Sequence, residues 1–232
     1  MGLAGVGRGY ASILRPPPVV ASCWVFPGWA GPLLKRNPLD RLNCYFMDDL
    51  EAKLTRIVRA TPWLMHALAI VRDVGIPDGY IAAGAIRDTV WDAVAEHRED
   101  GRSSDLDVIY FDAFDAERDW HQVLAHEAPG VRWEVTNQAT VHCWQSQVLG
   151  RPVRAYPCVG AAVRVWPETA TAVAVRLLCD EQVEIVAPCG LTDLFNGIVR
   201  RNPATPDAGA FARRVEQKQW QRRWPGLQIL EG

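Results

Sequence analysis

From residue 47 onward the apolar positions fall into short blocks with two different periods. In "MDDLEAKLTRIVRA" acidic residues lead, and Leu50, Leu54, Ile57 and Val58 follow at helical spacing, which predicts a helix over residues 48–59. Thr61 and Pro62 open a second helix, a cap followed by proline in the first turn, with Leu64, Leu68 and Val71 on one side. "GYIAAG" (79–84) predicts a short strand. A helix over 85–97 follows, with Ile86, Val90 and Val94 as its inner stripe, then a polar loop, "REDGRSS", at 98–104. "DLDVIYF" (105–111) predicts a strand that is apolar on both sides after residue 107, the mark of an inner strand. A helix near 115–127 and a strand over 131–137 come next.

The second half gives weaker signals. "PETATAVAVRLL" (167–178) reads as helix, "VEIVAP" (183–188) as strand and "LTDLFNGIV" (191–199) as a short helix. Residues 207–224 read as a basic C-terminal helix. The sum is an α+β domain over residues 47–232, a small mixed or antiparallel sheet flanked by helices, with a helical C-terminal extension.

Residues 1–46 differ. They are rich in Gly and Pro and carry neither period, which predicts a poorly packed or disordered leader. Translation starting at Met47 accounts for the contrast; peptides from residues 1–46 in the native protein would exclude that start.

The composition narrows the function classes. The chain has 232 residues, 49% hydrophobic and 22% charged, with net charge -2, so no global basic field advertises a nucleic-acid partner. Six cysteines include no C-x-x-C pair and no zinc spacing with histidine. No apolar run reaches a membrane span, and "RPPPVV" interrupts the only stretch resembling a signal sequence. These features predict a soluble cytoplasmic protein with reduced cysteines and no membrane partner.

The chemistry concentrates around the predicted inner strand. Asp105 and Asp107 are two residues apart and point the same way, at the edge of a core where like charges repel and desolvation is costly. A hard divalent cation offsets that cost, because Mg²⁺ prefers carboxylate and phosphate oxygens. Upstream, "AAGAIRD" (82–88) is strand, glycine, then helix. Gly84 permits a tight turn, the exposed N–H groups of the new helix form an anion site, and Arg87 can fork onto a phosphate. Glu134, in a strand that can lie beside the first, is a third carboxylate.

"AGAIRD" followed by "DLDVIYF" resembles the signature of the DNA polymerase beta-type nucleotidyltransferase superfamily. "GAIRD" looks especially like the tRNA CCA-adding and poly(A) polymerase branch. The wider pattern, "IAAGAIRDTVWD", "DVIYFD", "WEVTNQATVH" and "RVWPETATAVAVRL" (164–177), is similar to a bacterial family described as nucleotidyltransferase-like. The likeness runs from Met47 to the C-terminus. It implies a minimal nucleotidyltransferase fold and transfer of a nucleoside monophosphate (NMP) from a nucleoside triphosphate (NTP) to a hydroxyl acceptor, with release of pyrophosphate. The acceptor, left open, is a small molecule, a protein or RNA. Asp105 and Asp107 would ligate catalytic Mg²⁺ (or Mn²⁺), Glu134 would complete the site and take the acceptor's proton, and Gly84 and Arg87 would hold the triphosphate. The superfamily often has Gly-Gly or Gly-Ser at the turn, whereas Ala83-Gly84-Ala85 offers one glycine and no hydroxyl. Ser103 or Ser104 is the alternative source of a hydroxyl.

Each feature also has a plainer reading. An acidic pair can simply solubilise a strand edge, and Arg87 can pair with Asp88 or Asp92. Asn137, Gln138 and His142 can hydrogen-bond a base or sugar, or form a polar connection in which Asn137 caps a helix. Trp166, Trp220 and Trp224 suit packing better than base stacking. Arg213, Arg214, Lys218, Arg222 and Arg223 on the C-terminal helix can guide a polyanion such as RNA, though a solvated face is the better reading. A nucleotide-binding regulator without catalysis, or an RNA-binding accessory protein, are the rival functions.

Overall fold

Seven strands and eight α-helices make up the fold, seen in a computed structural model that describes residues 38–95, 105–114 and 118–231, with side chains from Asp49 onward. They fall in one unit spanning residues 37–232. Ser103 and Ser104, and most of the expected leader, lie outside the described residues.

In chain order the elements begin α1 (Pro38–Arg59), α2 (Pro62–Asp73), β1 (Tyr80–Ala82) and α3 (Gly84–Val94). They continue with β2 (Leu106–Tyr110), α4 (Trp120–Glu127), β3 (Trp133–Asn137), α5 (Val141–Leu149) and α6 (Val159–Val163). The C-terminal part holds β4 (Ala174–Leu177), β5 (Val183–Val186), α7 (Thr192–Phe195), β6 (Ile198–Arg200), α8 (Ala210–Lys218) and β7 (Gln228–Leu230). Helix α1 extends upstream through Met47 as far as Pro38.

The main sheet has the order β3-β2-β1-β4-β5 and is mixed. β1 runs antiparallel to β2 and β4, whereas β2 and β3 are parallel, because α4 makes the crossover between them. The α+β expectation is borne out. One sheet face presents Ile81, Val108 and Val175 to α1, α2 and α4, where Leu54, Leu68 and Leu124 are almost fully buried. Truncating one of these leucines to alanine costs about 2–5 kcal/mol. The other face carries Tyr80, Ala82, Ile109 and Ala174 against Val159 and Val163 of α6. That second cover is small and leaves the β2–β3 side of the face open to the site.

Three local expectations are corrected. Residues 167–178 are not a helix: a single 3-10 turn at Thr169–Thr171 leads into β4. β4 lies between β1 and β5, so its apolar residues are buried on both faces and show no alternation. The helix expected over 191–199 stops at Phe195; Gly197 takes a left-handed turn (φ +64°) into β6, which pairs with β7 in a separate two-stranded sheet. The C-terminal helix ends at Lys218, where Gln219 adopts a left-handed conformation (φ +46°) before a 3-10 turn at Trp220–Arg222. Among the described residues no helix is long and apolar enough to cross a membrane.

Candidate active site

Asp107 and Glu134 are register partners on the parallel strands β2 and β3, and Ala82 of β1 is the partner of Asp107 on its other side. Register partners share a face, so the two carboxylates stand side by side on the open part of the sheet. Asp105, just before β2, lines the same pocket and pairs with Arg132 Nε at 3.1 Å. The pocket is about 670 Å³ in volume.

Gly84 stands beside this group, and its backbone N–H favours the charged form of the Asp107 carboxylate. The tight turn is made by its neighbour. Ala83 holds φ +54° and ψ -121°, a conformation that side chains other than glycine's rarely adopt, while Gly84 enters α3 directly. The turn sets the first amide of the helix near the carboxylate. Burial pushes the Asp107 carboxyl above the ordinary carboxylate range, and the Glu134 charge pushes it further; the Gly84 N–H, Arg214 and Lys218 pull it back.

Arg214 and Lys218 come from α8, which forms the opposite wall of the pocket with Arg222 and Arg223. The basic face is largely solvent-exposed, as expected, and Arg214, Lys218, Arg222 and Arg223 on it also line the carboxylate pocket, whereas Arg213 pairs with Asp207. Two attachments hold the segment there. Arg223 pairs with Asp92 of α3 at 2.6 Å, and Trp224 Nε1 donates to the same carboxylate at 2.9 Å. The Arg87 guanidinium stacks between Trp91 and Trp220, 5.1 Å from each ring centroid.

Arg87 is buried, 4% exposed, and also binds Asp88 (Nη2 to Oδ1 at 2.7 Å) and Thr171 (Nη1 to Oγ1 at 3.1 Å). It lines the pocket, with Nε and Nη2 on Asp88 of the same helix and Nη1 linking α3 to Thr171. Ala85 is fully buried in the core. Asn137 lies away from the carboxylate pocket; its side chain ties down the chain after β2, accepting from the Asp112 and Ala139 N–H groups and donating to the Asp112 carbonyl. Gln138 and Trp166 line a second cavity beyond Asp107.

Sequence reasoning named Arg214 and Lys218 only among the cations of a basic helix and missed Glu168. Arg214 and Lys218, four residues apart on one helical face, carried a usable spacing signal. Glu168, fully buried and paired with Arg214 Nε at 2.6 Å, stands as a single acid in an apolar stretch and gave only that hint.

The donor set is hard: carboxylate oxygens, with cations and a helix N-terminus for phosphate. Among the described residues no three His, Cys, Asp or Glu side chains close on one point. A cation here would take one or two carboxylates and complete its shell with phosphate oxygens and water, the usual arrangement for Mg²⁺, and the residues fit it.

A nucleotidyltransferase family model matches residues 69–229. A solved structure whose description reads "reveals a CCA-adding enzyme head domain" is 27% identical with a TM-score of 0.64, covering 77% of this chain and 94% of that one. A CCA-adding enzyme in complex with CTP is 13% identical with a TM-score of 0.47, covering 77% of this chain and 43% of that one. The Thermotoga maritima CCA-adding enzyme in complex with tRNA gives the same identity and TM-score, with 77% and 42% covered. This chain thus spans less than half the length of those two chains. Among curated proteins, none matches it.

Proposed function

This chain belongs to that nucleotidyltransferase family, and we infer from this premise and the site that it moves an NMP from an NTP to a hydroxyl acceptor in a Mg²⁺-dependent reaction. One observation carries the reading. A half-buried carboxylate, Asp107, stands beside Glu134 and the first amide of α3, and faces Arg214 and Lys218 across a single pocket. Charges of both signs lie where a metal-bound triphosphate needs them.

Asp105 and Asp107 would hold the cation, which on binding neutralises the carboxylates and polarises the α-phosphoryl group. Arg214, Lys218 and Arg222 line the pocket and would bind the β- and γ-phosphates and the pyrophosphate that leaves. Glu134 is exposed and accepts the proton of the acceptor hydroxyl as its oxygen bonds to the α-phosphorus. The α–β bridging bond breaks, and pyrophosphate departs with the electron pair. The Gly84 N–H favours the charged form of Asp107.

Pyrophosphate release tests the proposal. With Mg²⁺, each of the four NTPs in turn and an extract of the source cells, the wild type releases pyrophosphate and the Asp105→Asn/Asp107→Asn variant does not. Equal release by a folded double variant would overturn it.

A further inference from the structure

A second cavity, about 410 Å³, opens on the far side of Asp107, along the sheet face that continues to Ile109 and Thr136. It meets the carboxylate pocket at Asp107 and Arg214, which line both. Its walls are of a different kind. Trp144, Trp166, Val148 and Leu149 give it an aromatic and aliphatic surface, and Gln138 and Gln145 add side-chain amides. Among its described lining residues Arg214 is the one cation, against the three acids Asp107, Glu168 and Asp207, of which Glu168 pairs with Arg214 and Asp207 with Arg213 behind the lining.

Resting on the transferase reading above, an in-line displacement puts the attacking and leaving oxygens on opposite sides of the α-phosphorus. With pyrophosphate against the cationic wall, the attacking oxygen comes from the side of the second cavity. We propose that this cavity binds the acceptor, and that the acceptor is a neutral small molecule with a largely apolar body and a hydroxyl group.

The volume is that of a small-ligand site, not of a groove that follows a polymer. The excess of acids is the wrong sign for a phosphate backbone. Glu168 adds a second, independent indication. It is fully buried in the lining, gives Oε1 to Arg214, and its Oε2 meets no donor among the described residues. A buried carboxylate oxygen without a donor is costly, and an O–H or N–H of the guest other than the attacking hydroxyl supplies one. At the mouth, Trp144 and Val148 of α5 are 53% and 68% exposed, an apolar rim suited to an apolar guest.

The test follows label from α-³²P-labelled ATP, CTP, GTP and UTP, with Mg²⁺, into three fractions of an extract of the source cells: small-molecule filtrate, RNA and protein. Val148→Arg places a cation on the exposed rim without touching the core. We expect label in the filtrate with the wild type, falling at least about tenfold with Val148→Arg, while NTP affinity measured by calorimetry stays unchanged. Label on RNA or protein, or filtrate labelling that Val148→Arg leaves intact, overturns the acceptor assignment and leaves the transferase reading standing. No label in any fraction overturns the transferase reading itself, and the assignment with it.

Discussion

Asp107 and Glu134 stand opposite each other on parallel strands, and the charge of Glu134 adds to burial in holding the Asp107 carboxyl above the ordinary carboxylate range. A pair so placed is a cost to the fold that a bound cation removes. The folded protein holds the Asp107 proton more tightly than the unfolded chain does. This group therefore costs stability as pH rises from the usual carboxylate value through the raised one.

Asp107→Asn removes that cost. Its melting temperature exceeds that of the wild type at pH 7.5, and the difference narrows as pH falls toward about 4. Thermal melts of both proteins across this range check the prediction. A variant less stable than the wild type at neutral pH contradicts it.

Lys218 faces the carboxylates from the exposed end of α8 and supports no buried contact. Lys218→Ala lowers NTP affinity about tenfold, the worth of one charge-assisted hydrogen bond, with no change in melting temperature. Calorimetric titration and a melt on the same sample separate the two effects.

Arg214→Ala strands the fully buried Glu168 without its partner. It destabilises the protein by about 3 kcal/mol, a fall of roughly 6–12 °C in melting temperature. The pair Arg214→Met/Glu168→Leu recovers most of that stability but not NTP binding. Recovery of both would show that Arg214 acts only in the fold.

Ala83 sustains its positive φ because β1 and α3 fix the backbone on either side. Ala83→Val adds a branched side chain to that conformation and costs about 2 kcal/mol, whereas Ala83→Gly folds at least as well as the wild type. Denaturant melts of the two variants give the ordering.

The core of this site was legible because local signals agreed. "GYIAAG" and "DLDVIYF" have the length and residue types of inner strands, and the Asp107–Glu134 pairing follows from two strands joined by a helix. The C-terminal wall was not legible from local sequence. A basic helix looks the same whether it faces solvent or a carboxylate pocket. What decides is the Asp92–Arg223 pair and the stacking of Arg87 between Trp91 and Trp220, contacts between residues far apart in the chain. The strand at Ala174–Leu177 was hidden for another reason: a short segment buried on both faces has no period to distinguish it from a buried helix.

The most direct measurement is calorimetric binding of each NTP to the wild type and to Asp107→Asn, with and without Mg²⁺. Strong binding that requires both the cation and the aspartate is the predicted result. Equal affinity for NTP in both proteins, whether or not Mg²⁺ is present, would contradict the account.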